Sequence, residues 1–278
     1  MRLFHRHKNV ISRTIYLPVE GRIVPILILT PENESENATG VLWMHGGGYF
    51  SGFKEMAYFS RAIDLVEKFC CVLLCPGYHL SVFHPYPTAV RECYEALLYM
   101  KDNAKALGIN PDQLMIGGES AGGGLCASLA IMARDREEVN IAFQMPIYPM
   151  IDCFDTGSSS YNHSLGWNTF WNHLGWKLYL RKDYGKEVSP YASASRLKDY
   201  SNLPPAYSFV CTNEPFLDET IAYFNSLQKA NVEAKLNIYE GMYHCFDMMQ
   251  PDHETSRQAK SDFLEYFAYA KENFYAFN

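Results

Sequence analysis

From residue 41 onward the chain repeats one pattern, a short apolar run followed by a stretch with helical spacing. The runs are VLWMH, CVLLCPGY, LMIGG, AFQMPIYPM, AYSFVCT and AKLNIYE. Runs this short, apolar throughout and rich in branched side chains, read as strands buried on both faces, and joining such strands in parallel takes a helical crossover. The pattern therefore predicts an α/β architecture, a mostly parallel sheet flanked by helices. Upstream, TIYLPVEGRIVPILILT (residues 14–30) reads as two antiparallel strands about a Glu20-Gly21 turn, which brings the sheet to eight strands. Helical spacing is clearest over Ala89–Leu107 and Thr255–Phe274. Residues 154–188 interrupt the alternation, and within them Trp167, Phe170, Trp171 and Leu174 fall at i, i+3, i+4 and i+7, the spacing of one helix face. That segment is expected to form a small helical cap, a lid-like insertion in a single domain spanning residues 1–278.

Composition narrows the function classes. Of 278 residues, 48% are hydrophobic and 20% charged, as in an ordinary globular domain. No apolar run approaches the roughly 20 residues that span a bilayer. A net charge of −7 without a Lys/Arg cluster argues against a nucleic-acid partner and leaves a small molecule as the expected one. The first residues, MRLFHRHKNVIS, lack the apolar core of a secretory leader, and the eight cysteines sit mostly in apolar runs without paired C-x-x-C spacing. Buried reduced thiols, a cytoplasmic location and no metal site are the expectations.

The chemistry is concentrated in a few stretches. GESAG, residues 118–122, follows the strand LMIGG and precedes the helical GGGLCASLAIMAR. In so tight a strand-to-helix turn the flanking glycines relieve crowding, and Ser120 is left pointing out of the sheet edge as a nucleophile. A serine hydroxyl needs an adjacent base, usually a histidine oriented by a carboxylate. Downstream, CTNEPFLDE follows one strand and EGMYHCF the next, placing Glu214 and His244 just past strand ends, where catalytic groups of open parallel sheets collect. His163, His173 and His253 lie in the insertion or by the last helix and are weaker candidates for the base. Asp218 is the alternative acid.

HGGGYFSG, residues 45–52, has three consecutive glycines that suit neither strand nor helix. Bare backbone is what an oxyanion needs, because N–H donors must converge on one point. Gly46, Gly47 and Gly48 can fold under a carbonyl and donate beside the N–H of Ala121, while His45 ties the loop down. Tyr49, Phe50, Trp167, Phe170 and Trp171 are candidate substrate-binding walls.

These residues together resemble the hormone-sensitive-lipase-like esterases of the α/β-hydrolase fold, whose paired signature is HGGG followed by G-[DE]-S-A-G-G. The resemblance runs over most of the chain: GYHLSVFHPYPTA follows the family segment D-Y-R-L-A-P-E-x-P-F-P-A-A without a gap, and YPMID, SPYAS, LPPAY, NEPFLDE and GMYHCF fall in family order. It maps the family's catalytic carboxylate, usually the Asp of D-P-L-x-D-E, onto Glu214. The sequence departs from the family in four places. Glu214 is one methylene longer than the usual Asp. Gly77, His79, Val82 and Phe83 replace Asp, Arg, Pro and Glu, removing an expected ion pair. Gly124 stands where Asn is common. HGGG begins only 44 residues from the start, so a reduced N-terminal cap is expected.

The resemblance implies a serine carboxylesterase for short-chain acyl esters, acting through Ser120, His244 and Glu214 without a cofactor. A carbohydrate acetyl or feruloyl esterase is the near alternative. An amidase would share all the machinery. A non-catalytic ligand receptor on the same fold, as in plant gibberellin receptors, lacks the triad histidine that is present here as His244. A homodimer through the sheet edge or the aromatic cap is a further expectation.

Overall fold

The computed structural model describes residues 7, 9–33 and 36–276. Eight strands form one sheet in the order β1-β2-β4-β3-β5-β6-β7-β8, with β1 Val10–Val19, β2 Arg22–Pro31, β3 Ala38–Met44, β4 Val72–Pro76, β5 Ile109–Glu119, β6 Phe143–Ile147, β7 Ala206–Asn213 and β8 Ala234–Tyr243. Pairing is antiparallel for β1 with β2 and for β2 with β4, and parallel from β4 onward. The opening hairpin turns at Glu20 and Gly21, both at positive φ, which matches the right-handed twist of the strands they join. Strands β3, β4 and β6 are buried at every position, so their sequences carry no polar alternation.

The helices are α1 Arg61–Phe69, α2 Thr88–Asp102, α3 Ala121–Arg136, α4 Gly157–Ser160, α5 Thr169–Leu180, α6 Leu217–Lys229, α7 Phe246–Met249 and α8 Glu254–Asn273. One face of the sheet packs against α1 and α8 through Leu65, Val66, Phe263 and Phe267. The other packs against α2, α3 and α6 through Leu97, Leu125, Leu129 and Phe224. Helix α3 is buried on all sides from Ala121 to Ala133, which explains its run of Gly and Ala, and Arg134 and Arg136 complement its C-terminal dipole. The helix read over Ala89–Leu107 stops at Asp102. There the Asn103 side chain donates to the Tyr99 carbonyl and the chain continues as a single turn, Lys105–Leu107.

Residues 154–188 hold α4 and α5, but the stripe that packs differs from the one spacing suggested. Trp167 precedes α5, whose N-cap is Asn168. The buried face is Asn172, Gly175, Trp176 and Tyr179, whereas Phe170 is 67% exposed and Trp171 40%. Packing selects the first stripe because it meets the glycine loop: the Tyr179 ring stacks on Tyr49 at 4.1 Å and Trp176 tilts against the same ring.

The loop at 77–86 is braced, although not by the family's ion pair. Buried Glu92 accepts from the His79 backbone N–H and from Arg22 Nε and contacts the His79 ring, while Arg181 donates to the Ser81 and Val82 carbonyls.

Candidate functional site

The favoured residues lie at the C-terminal ends of parallel strands: Gly46–Gly48 after β3, Ser120 after β5, Glu214 after β7 and His244 after β8. The strand order reverses between β3 and β5, the kind of switch point at which open α/β sheets bind their ligands. Ser120 has φ 57° and ψ −119°, a conformation side chains rarely adopt, and three backbone bonds hold it there. Its N–H donates to the Ile147 carbonyl at 3.0 Å, and its own carbonyl accepts from Gly124 at 2.9 Å and Met150 at 3.0 Å. A Cβ on Gly122 would run into the carbonyl of Met44, so the turn closes only with glycine there.

His244 Nε2 lies 2.9 Å from Ser120 Oγ, and its Nδ1 lies 3.4 Å from Glu214 Oε1. All three side chains are buried, at 3% exposure for Ser120, 2% for His244 and none for Glu214. Tyr148 and Phe216 meet the imidazole edge-on at 4.9 Å each and fix its plane. Burial pulls the His244 imidazole down, but Cys245 and the Glu214 carboxylate act the other way and hold it above the ordinary histidine range. A base so placed can take a proton from the serine and return it to a leaving group.

Asp218 does not share this geometry. It is exposed, and its Oδ2 accepts from the Ser158 N–H, tethering α4 to α6. Two of the competing histidines are occupied elsewhere, His173 pairing with Asp155 at 2.7 Å and His253 capping α8, and His163 is exposed.

The glycine loop runs beneath the elbow. The N–H groups of Gly47 and Gly48 donate to no carbonyl among the described residues. That of Ala121 opens α3, where no intrahelical acceptor exists. Gly47 has φ 118° and its carbonyl takes the N–H groups of Phe50 and Ser51. Gly48 has φ 58°, and a Cβ there would overlap the Trp167 ring. His45 is buried against Tyr78, stacked at 4.1 Å, with its Nδ1 2.8 Å from the Gly46 carbonyl. Burial lowers its imidazole to about 4, so it stays neutral and serves the loop as a tie.

The aromatic residues divide into two groups. Phe50, Trp167 and Trp171 form a cluster with centroids 6.0 to 6.5 Å apart, and Trp167 reaches to 6.4 Å from His244. Tyr49 is instead wholly packed, with its hydroxyl donating to the Met150 carbonyl at 2.7 Å, so it braces the loop and offers no open wall. Phe170 touches Trp171 at the outer edge. Gly124 explains itself here: a Cβ at 124 would collide with both the Tyr49 hydroxyl and the Met150 carbonyl.

Three features had not been singled out from the sequence. Glu219 is buried, its Oε1 accepting from Ile151 and Asp152 at 2.7 and 3.1 Å, and burial holds its carboxyl well above the usual range. Its place on the stripe with Thr220, Tyr223, Phe224 and Leu227 was the available signal. Beneath the elbow, Trp43 donates to Glu119 at 2.7 Å, and burial raises that carboxyl to about 8. Nearby Arg61 faces Asp247 at 3.5 Å and Asp64 at 4.0 Å. Finally, Cys211 Sγ lies 3.1 Å from Glu214 Oε2.

Comparison with known proteins agrees with this architecture. The model of a family described by the α/β-hydrolase fold matches residues 41–248. An arylesterase of Saccharolobus solfataricus is 30% identical over 84% of this chain and 76% of its own length. Carboxylesterase NlhH of Mycobacterium tuberculosis is 26% identical over 80% and 70% respectively. Among solved structures, a bacterial heroin esterase superposes with a TM-score of 0.87 at 31% identity, covering 91% of this chain and 82% of its own. Esterase LipW from Mycobacterium marinum gives 0.87 at 28%, covering 94% and 82%.

Proposed function

The chain belongs to the hormone-sensitive-lipase-like family of α/β hydrolases and is a hydrolase of carboxylic esters, and from that premise we propose that it works by serine catalysis on small acyl esters. One observation carries the reading: a buried Ser120 Oγ lies 2.9 Å from His244 Nε2, with Glu214 Oε1 3.4 Å from the other ring nitrogen. His244 takes the Ser120 proton as Oγ attacks the ester carbonyl. The N–H groups of Gly47, Gly48 and Ala121 receive the oxyanion, with Gly46 shaping the approach; such donors are worth about 3 kcal/mol each. The imidazolium then protonates the leaving alkoxide, the alcohol departs, and a water activated by His244 hydrolyses the acyl-enzyme. No step calls for a metal or cofactor.

Residues 154–188 act as the cap, with Trp167 over Gly48 limiting the acyl group and Phe50 and Trp171 extending the wall. The relatives' names, arylesterase and heroin esterase, fit an ester substrate. A sugar deacylase is the second reading, favoured by the exposed rings of Trp171 and Phe170, since aromatic faces stack on sugars. Among the described residues no helix is long and apolar enough to cross a membrane, and all eight cysteines are unpaired, which supports a reducing compartment. A homodimer through a sheet edge or the aromatic cap is part of the same proposal, with β1 and β8 as the two edge strands.

The test is initial-rate hydrolysis of p-nitrophenyl acetate, butyrate, octanoate and laurate beside an acetylated xylo-oligosaccharide, with Ser120→Ala as blank. Turnover is expected to depend on Ser120 and to fall with chain length, while Ser120→Ala keeps its melting temperature. Preference for the sugar would select the second reading. No turnover above the blank would overturn serine catalysis and return the receptor.

A further inference from the structure

Glu214 raises a problem of its own. With one more rotatable bond than aspartate, its carboxylate has more positions to occupy at the end of β7, and only some of them face His244. A carboxylate is oriented when both oxygens are engaged, and Oε1 faces His244 Nδ1 at a long 3.4 Å. The remaining oxygen, Oε2, meets the thiol of Cys211 at 3.1 Å. Among the described residues these are the two hydrogen-bond partners of the carboxylate. Cys211 lies on β7 three residues before Glu214, with a fully buried side chain, so strand and thiol move as one body with the acid.

We infer that Cys211 is a positioning residue for the acid, its S–H donating to Glu214 Oε2 and holding Oε1 toward His244, so that this site replaces a short acid by a longer one and a pinning thiol. This rests on the Ser120–His244–Glu214 reading above. Burial and the neighbouring carboxylate keep the Cys211 thiol protonated far beyond the working range, so the donor is present at every pH at which the enzyme turns over. The thiol touches neither serine nor substrate, and its action runs wholly through Glu214.

The experiment compares Cys211→Ala, Cys211→Ser, Glu214→Gln and the double variant Cys211→Ala/Glu214→Gln, with kcat and KM measured on p-nitrophenyl acetate. Loss of one hydrogen bond to a charged group corresponds to about tenfold. Cys211→Ala is expected to lower kcat about tenfold with KM within about twofold, because the acid acts on the chemical step and not on binding. Cys211→Ser, which keeps a stronger donor on a shorter bond, restores part of the lost kcat and exceeds Cys211→Ala. In the Glu214→Gln background Cys211→Ala adds no further loss, since the group it positions is gone. Cys211→Ala at wild-type kcat, Cys211→Ser as slow as Cys211→Ala, or losses that multiply in the double variant would each overturn the inference. Glu214→Gln near wild-type activity would instead remove the triad assignment beneath it, so the two failures are told apart.

Discussion

The elbow side of the site and the aromatic side are built differently. Ser120 is fixed by three backbone bonds, a positive φ and glycines that no side chain can replace, beside a layer of buried polar groups formed by Glu119, Arg61 and Asp247. The aromatic side is held by ring contacts at 5 to 6.5 Å, ends in exposed Phe170 and Trp171, and meets the elbow side mainly through Trp167. Where backbone geometry sets a group, one substitution removes the function. Where rings lean on rings, the same substitution is absorbed, and specificity can drift while chemistry stays.

The contrast can be broken most directly at the acid. Glu214→Gln should lower kcat by roughly 10³ to 10⁴, as loss of a triad acid does. Asp218→Asn should stay within about threefold. It should lower the melting temperature slightly by loosening α4. The reverse order in steady-state kinetics would move the acid role to Asp218. The same pair tests the imidazole. In the wild type the acid limb of kcat/KM should lie above the ordinary histidine range, because the base must be neutral and its proton is held more tightly than usual. In Glu214→Gln the residual activity should show that limb at lower pH.

A smaller effect is expected where the two sides touch. Gly48→Ala adds a Cβ at positive φ into the Trp167 ring and should cost about 10² in kcat, the scale of one lost oxyanion donor. Combining it with Trp167→Ala should recover part of that loss on p-nitrophenyl acetate. No recovery would mean that the backbone strain, and not the ring, carries the cost. At the outer edge Phe170→Ala should change acetate turnover by less than twofold and leave thermal unfolding within a few degrees. A large loss there would show that the aromatic side is as tightly specified as the elbow.

What the sequence disclosed follows the same division. Strand, elbow and helix were legible because GESAG between LMIGG and a helical run expresses a local requirement, and Glu214 and His244 could be placed by counting past strand ends. The packed stripe of α5 was not legible, because Trp167–Leu174 and Asn172–Tyr179 both have helical spacing and only contact with Tyr49 decides between them. Tyr49 itself, in an aromatic-rich loop beside a nucleophile, looked like a wall; its hydrogen bond to Met150 spans 101 residues and leaves no local trace. The same holds for the replacement brace of Glu92, which joins Arg22 to His79 across the opening hairpin.

Tyr49 and Gly124 constrain how this chain can change. The Tyr49 hydroxyl and the Met150 carbonyl both crowd the place where a Cβ at 124 would sit, so a side chain there meets two filled positions, one of them backbone. Trimming the tyrosine would free only one of them. A path from this sequence to one with asparagine at 124 must therefore shift the backbone after β6 as well as Tyr49, and a consensus-guided redesign that swaps residues one at a time would reject asparagine there for lack of those companions.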